Sequence, residues 1–313
     1  MESNIKNLWV EQYRPKVLDD LVLTAENRKI IDKFVKNQEI PNLLFYGNPG
    51  TGKTTLAKIL VEYIDAEYLF LNCSEVGIDT VRTTITNFSQ TKSFNGKMKV
   101  VICDEIDGSS SDAQRGLRNT MEENSGYCRY ILTCNFLNRV ISPLQSRCQS
   151  FLLAPPITGL VKRVATILKQ ENIFVDENNK TKLIYLTKKL YPDTRRVINE
   201  IQKNCIEGKL ILPETINADN FANNVINYIL SKDVLTARKY VIEHESDFNG
   251  DYSQLLKAVF DVACNTALPI TEVQKKMWLV TIGEYLYRNA FIVDPEINFY
   301  CLLIALSEIT CSS

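Results

Sequence analysis

The sequence predicts an α/β fold, a parallel sheet with helices on both faces, followed by a long helical stretch. Three observations lead there. In the first half of the chain, short apolar runs (Asn42–Tyr46, Tyr68–Asn72, Met98–Cys103, Arg129–Cys134) alternate with helical spacing. A glycine-rich loop, Gly47-Asn48-Pro49-Gly50-Thr51-Gly52-Lys53-Thr54, joins the first apolar run to a helix. Beyond Pro155-Pro156, which stop regular pairing, the pattern turns helical.

Composition narrows the classes. For 313 residues the length suggests roughly two or three domains. Apolar residues make up 45% and charged residues 23%, enough for an ordinary core. The net charge of −1 gives no global attraction to nucleic acid, so any such contact needs a local patch. The nine cysteines include no C-x-x-C pair, so no zinc site is expected. Their odd number, without a signal peptide, predicts free thiols in a reducing cytoplasm. No apolar run approaches the roughly 18 residues that span a membrane.

The chain opens with Leu8-Trp9-Val10-Glu11-Gln12-Tyr13-Arg14-Pro15, a partly apolar arm ended by proline, then Leu18, Leu21 and Val22. Helical spacing runs from Ala25 to Asn37, with Ile30, Ile31 and Phe34 apolar. The loop Gly47–Thr54 satisfies G-x-x-x-x-G-K-[ST] in full and sits between strand and helix, as a phosphate-binding loop requires. Its glycines let backbone N–H groups turn inward, and the helix start adds partial positive charge. Lys53 is placed to reach β- and γ-phosphates, and Thr54 to hold Mg²⁺.

Tyr68–Asn72 reads as a second buried strand. Gly77 to Gln90 reads as an amphipathic helix with Ile78, Val81, Ile85 and Phe88 on one face and Arg82 on another. From Ile78 to Lys99 positive charge is in surplus by three, which alone reads as a solvated face. The strand Met98–Cys103 ends at Asp104-Glu105-Ile106-Asp107. Its end places Asp104 where it can orient Mg²⁺ and Glu105 where it can polarise water, two requirements of in-line phosphoryl transfer. A helix over Ser109–Glu123 carries Arg115 and Arg118. Asn135 follows the strand Arg129–Cys134; a polar amide there can touch the γ-phosphate or the water, but by itself it reads as a strand cap. Phe151-Leu152-Leu153 is strand-like. Helices are then expected over Leu160–Glu171, Lys180–Leu190 and Arg195–Cys205, with Asp193 or Thr194 capping the last. Further helices cover Asn224–Leu230, Val234–Glu243, Tyr252–Ala267, Ile270–Asn289 and Phe299–Ile309. His244, the lone histidine, reads as a surface residue.

Together these pieces resemble the clamp-loader branch of the AAA+ ATPases. Tyr13-Arg14-Pro15, Gly47–Thr54, Asp104-Glu105-Ile106-Asp107, Cys134-Asn135, Ser146-Arg147-Cys148 and Pro192-Asp193-Thr194-Arg195 stand in the order seen in replication factor C small subunits. The short chain and the run Asn87–Lys97 resemble the ATPase subunits of tailed-phage clamp loaders. The likeness is specific over residues 8 to 205 and topological afterwards.

The resemblance implies an AAA+ core over residues 1–153, a helical lid over 154–218 and an all-α collar over 219–313. It implies that Val10, Glu11, Gln12, Tyr13 and Val22 surround an adenine, and that Gly50, Thr51, Gly52, Lys53, Thr54 and Thr55 hold the phosphates. It makes Asp104 and Glu105 the acidic pair, Asn135 a first sensor and Arg195 a second. Arg147 becomes an arginine finger for a neighbouring subunit's ATP, and Asn72 a restraint on Glu105. Arg82, Arg115 and Arg118 would meet DNA phosphates. ATP and Mg²⁺ are the implied cofactors. The implied partners are copies of the chain in a ring or spiral, a distinct loader subunit, a ring-shaped sliding clamp and primer–template DNA; no membrane is involved. A helicase loader, a branch-migration motor and a non-hydrolysing scaffold are the competing readings. Two departures stand out: Pro192 where many relatives have glycine, and Gly77 where some carry a basic residue.

Overall fold

The computed structural model describes residues 8–74, 78–91, 96–212, 218–248, 250–265 and 268–311. The chain forms two compact units, residues 1–212 and 213–313.

In the first unit, α1 (Trp9–Gln12) and α2 (Ala25–Asn37) precede β1 (Leu43–Tyr46), α3 (Lys53–Tyr63) and β2 (Glu67–Asn72). Then come α4 (Ile78–Gln90), β3 (Lys99–Asp104), α5 (Ser111–Glu123) and β4 (Cys128–Cys134). A short α6 (Ser142–Gln145) leads to β5 (Gln149–Leu152). The strands lie in the order β2-β3-β4-β1-β5, all parallel. Because side chains alternate along a strand, one face of the sheet buries Leu43, Phe45, Val100, Ile102 and Ile131 against α2 and α3 residues such as Ile31, Leu56 and Leu60. The other face buries Leu44, Val101, Cys103 and Leu132 with Ile85 of α4 and Leu117 and Met121 of α5. Strands covered on both faces read as unbroken apolar runs, which is why β1, β3 and β4 are plain in the sequence. β2 is not the buried strand that its composition suggests. It pairs only with β3 at the sheet edge, and Tyr68 is 41% exposed.

Pro155 and Pro156 lead from the sheet into α7 (Ile157–Gln170), α8 (Glu177–Leu190) and α9 (Thr194–Lys203). Leu160, Val164, Ile167, Leu168, Val197 and Ile201 form their shared core, and Trp9 of the N-terminal arm is buried in it. The Trp9 backbone N–H donates to Gln202 Oε1 at 3.0 Å, so the arm is fastened to the helical segment. α9 is capped by Asp193, whose side chain accepts the Arg196 N–H at 2.9 Å. Pro192, joined to Tyr191 by a cis peptide, precedes this cap, and the helix still begins at Thr194. The expected continuation of α9 through Cys205 is wrong. The helix stops at Lys203, and a small antiparallel hairpin follows, β6 (Cys205–Ile206) and β7 (Lys209–Leu210), closed by Glu207-Gly208. A two-residue turn ending in glycine is the signal that was available there.

The second unit is a helical bundle of α10 (Ala218–Leu230), α11 (Val234–Glu243), α12 (Tyr252–Asn265), α13 (Glu272–Arg288) and α14 (Pro295–Cys311). Its core includes Phe221, Val225, Leu256, Val259, Trp278 and Leu302. The buried Trp278 indole donates to the Leu306 carbonyl at 3.1 Å, so its polar edge is satisfied. His244 is not a plain surface residue. Its ring lies 4.4 Å from that of Tyr240 and 6.1 Å from that of Phe221, and Nδ1 is 2.9 Å from the Tyr240 carbonyl oxygen. All nine cysteines are free. Among the described residues no helix is long and apolar enough to cross a membrane.

Candidate functional site

A cavity of about 670 Å³ opens at the carboxyl ends of β1, β3 and β4, where sheets of this order place their ligands. The phosphate loop forms one wall. Gly47 has φ 144° and Gly50 φ 74°, values that L side chains rarely adopt. A Cβ on Gly47 would lie 2.6 Å from the Leu153 carbonyl oxygen, so the strand leaving the sheet is pressed against the loop's first residue. A Cβ on Gly50 would lie 1.9 Å from Asp193 Oδ1 and 3.3 Å from Arg195 Cβ. The start of α9 therefore rests directly on the loop. Gly50→Ala is expected to weaken ATP binding about tenfold or more, because ~1–2 kcal/mol of left-handed backbone strain adds to the displacement of α9. Equilibrium titration with ATP checks this; unchanged affinity would show that α9 and the loop need not touch.

Lys53 is 7% exposed, and its Nζ donates to the carbonyls of Gly47 (2.8 Å) and Asn48 (2.9 Å). Burial pushes its pKa down. The Cys134 thiol and the Asp107, Asp104 and Glu105 carboxylates oppose the shift. Thr54, in the first turn of α3, donates its hydroxyl to Asp104 Oδ1 at 2.7 Å. The same oxygen accepts from the Thr133 hydroxyl at 2.6 Å. A hydroxyl and a carboxylate side by side at the phosphate end form an oxygen donor set of the kind that suits Mg²⁺, so these residues fit that ion.

Thr133 was not among the residues singled out in the sequence. It is 1% exposed within the apolar β4, and its Oγ1 also accepts the Glu105 N–H at 3.1 Å. A threonine two residues before Asn135, inside a buried strand, was the sign. Glu105 has φ 56°, an uncommon backbone state for a residue with a side chain. Its Oε2 accepts from Ser74 Oγ at 3.2 Å, and Ser74 also reaches Asn72 Oδ1 through both its hydroxyl (2.8 Å) and its N–H (3.2 Å). Ser74 thus stands between Asn72 and Glu105. Asn135 lines the cavity, and its backbone N–H donates to Asp107 Oδ2 at 3.0 Å.

At the other end Val10, Tyr13 and Val22 line the cavity, together with Arg14, Pro15 and Ile198. Glu11 and Gln12 do not. They lie on a helical turn, where residues three apart share a face, so Val10 and Tyr13 point inward together. Glu11 instead pairs with Arg14 at 3.3 Å, and Gln12 donates to Glu171 at 3.1 Å. The Tyr13 hydroxyl also donates to Glu171, at 2.6 Å; burial first, then this carboxylate, push its pKa up to about 12. Arg163 of α7 is a second lining residue that the sequence did not single out. It donates to the Tyr13 carbonyl at 2.9 Å and to Asp20 at 3.2 Å, binding α7 to the arm. Thr51, Gly52, Thr55 and Arg195 line the cavity as expected by position.

Residues 43–156 match the model of the ATPase family associated with various cellular activities (AAA). The replication factor C small subunit of Archaeoglobus fulgidus is 38% identical, with 96% of this chain and 98% of that protein covered. That of Sulfurisphaera tokodaii is 33% identical, with 96% and 95% covered. The sliding-clamp-loader large subunit of Enterobacteria phage T4 is 31% identical, with 96% of each chain covered. The chain belongs to the replication factor C small-subunit family of AAA ATPases. The likeness is therefore not confined to residues 8–205, since these relatives also align across the helical second unit.

In this replication factor C relative, Arg147 stands apart from the chain's own cavity. It follows α6, donates to the Pro143 carbonyl at 2.8 Å, and pairs with Glu122 of α5. Arg115 and Arg118 also lie on α5. Arg115 is exposed and paired with Asp112 at 2.6 Å, and Arg118 donates to Asn119 at 3.1 Å. Both α4 and α5 pack on the same face of the sheet through Ile85, Leu117 and Met121. The Arg82 side chain and Gly77 lie outside the described residues.

Proposed function

We propose that this chain is the ATP-hydrolysing subunit of a sliding-clamp loader. ATP binding assembles subunits, opens the ring-shaped clamp and grips primer–template DNA; hydrolysis releases the closed clamp on DNA. The carrying observation is the convergence of Lys53, Thr54, Asp104, Glu105, Asn135 and Arg195 on one cavity, in a chain whose clamp-loader relatives align almost end to end. Three parts are assigned by position: a core over 1–153, a lid over 154–218 and a collar over 219–313 that joins subunits.

The residues divide the work. Loop N–H groups and Lys53 hold the phosphates, and the carbonyls that Lys53 now occupies release it to them. Thr54 and Asp104 would hold Mg²⁺, which when bound supplies charge neutralisation at the phosphate oxygens. Glu105 accepts the proton of the attacking water. Asn135 and Arg195 meet the γ-phosphate, so that α9 and the helices behind it answer to nucleotide. Arg147, paired with Glu122 and outside the chain's own cavity, completes the site of the adjoining subunit. Arg82, Arg115 and Arg118 track DNA phosphates without reading bases.

The test is ATPase activity of the chain alone, and then with partner subunit, clamp and primer–template DNA. A low basal rate that rises at least tenfold in the complete mixture is expected. A rate indifferent to DNA and clamp would overturn the reading. In the same assay Arg115→Ala, Arg118→Ala and Arg82→Ala should each weaken DNA stimulation, and each lost phosphate contact should reduce the salt slope by about 1. An unaltered slope would remove that residue from the DNA surface.

A further inference from the structure

We propose that Asp107 is a positioning residue for hydrolysis: its carboxylate fixes the backbone at the end of β4 and so aims the Asn135 amide at the γ-phosphate. This rests on the reading of Asn135 given above. Asp107 Oδ2 accepts two successive backbone N–H groups, those of Asn135 at 3.0 Å and Phe136 at 2.9 Å. These are the first residues after β4, where the ladder with β3 has already ended at Cys103 and Leu132. Beyond that point the two strand ends are tied by side chains instead. Besides the Thr133 hydroxyl on Asp104, two ties run from the turn after β3: the Glu105 N–H to Thr133 Oγ1, and Asp107.

The two ties leave from one short turn. Glu105 opens it with a left-handed φ, Ile106–Gly108 form a single 3₁₀ turn, and the Gly108 N–H returns to the Glu105 carbonyl at 2.9 Å. Water-facing Glu105 and phosphate-facing Asn135 are therefore held by the same three-residue piece. A rigid link of this kind matters because hydrolysis depends on the mutual placement of water and phosphate, and a 1 Å error is costly.

Asp107 Oδ1 is buried and has no hydrogen-bond partner, the only such side-chain atom among the described residues. A carboxylate oxygen left so is expensive, and native proteins keep few. Its charge is felt at the phosphate end: it opposes the downward shift of Lys53 and, after burial, helps push the Cys134 thiol up to about 12.

The experiment is a double-mutant cycle in the assembled complex, reading kcat, the KM for ATP and ATP affinity. Asp107→Ala is expected to lower kcat on the order of 10- to 100-fold with little change in ATP affinity. Asp107→Asn keeps an acceptor oxygen at the place and should recover most of that loss. In an Asn135→Ala background, Asp107→Ala should cost almost nothing more. Independent, multiplying losses would overturn the inference while leaving the role of Asn135 intact. So would an Asp107→Asn variant as impaired as Asp107→Ala. If Asn135→Ala alone left kcat unchanged, the reading of Asn135 would fall and the inference with it. Thermal unfolding of each variant separates a lost fold from a lost aim: an Asp107→Ala loss of kcat at unaltered melting temperature supports positioning, and a loss that tracks the melting temperature overturns it.

Discussion

Glu105→Gln is expected to bind ATP like the parent and to lose about 10²–10⁴-fold in turnover, the range associated with removing a general base. The change is nearly isosteric. A glutamine oxygen can still accept from Ser74, and the backbone N–H that reaches Thr133 is untouched. The groups that hold nucleotide, Lys53 and the loop, stay in place because their contacts run to Gly47 and Asn48 and do not involve Glu105. Only the ability to take a proton is lost. Steady-state phosphate release by the assembled complex, set beside equilibrium ATP binding, is the measurement. Unchanged release would remove Glu105 from the chemistry.

The second large effect concerns Arg147. Arg147→Ala should leave ATP affinity of its own site intact and lower turnover at the neighbouring site ~10³-fold or more, as for arginine fingers elsewhere. The first half follows from position: the side chain is held by Glu122 and the Pro143 carbonyl, and it is absent from the lining of its own cavity. The second half is separable by mixing. Lys53→Ala subunits cannot use their own nucleotide but can still lend Arg147. Rings made from both variants should therefore recover activity that neither has alone. If mixed rings hydrolyse no better than either pure ring, the guanidinium does not act across subunits.

The phosphate end of the site was legible because its residues obey short-range rules. Gly47 to Thr54 form one contiguous motif, and Asp104-Glu105 close an apolar run. What escaped were residues whose role depends on the fold bringing strands side by side. Thr133 looks like a strand residue until register sets β4 beside β3 and Asp104 within reach of its hydroxyl. Arg163 sits in an amphipathic helix, and only the packing of α7 against the arm turns it to the cavity. Glu11 and Gln12 fall outside the cavity lining for the opposite reason. A run taken as one unit is a helical turn, and rotation about its axis sends neighbours to different sides. The hairpin after α9 was hidden because two-residue strands carry no periodicity.

The pressing of Leu153 against Gly47 has a mechanical corollary. The Leu153 N–H is bonded to the Tyr46 carbonyl at 2.8 Å, so the hinge strand is anchored beside the loop's first glycine. Rotation of α7–α9 about that anchor would have its fulcrum beside the cavity. Displacement grows with lever arm, so sub-ångström adjustments where Gly50 meets Asp193 would become larger excursions at the periphery of those helices. Under the proposed ATPase reading, loss of a single phosphate would reach the far ends of those helices as such an amplified movement.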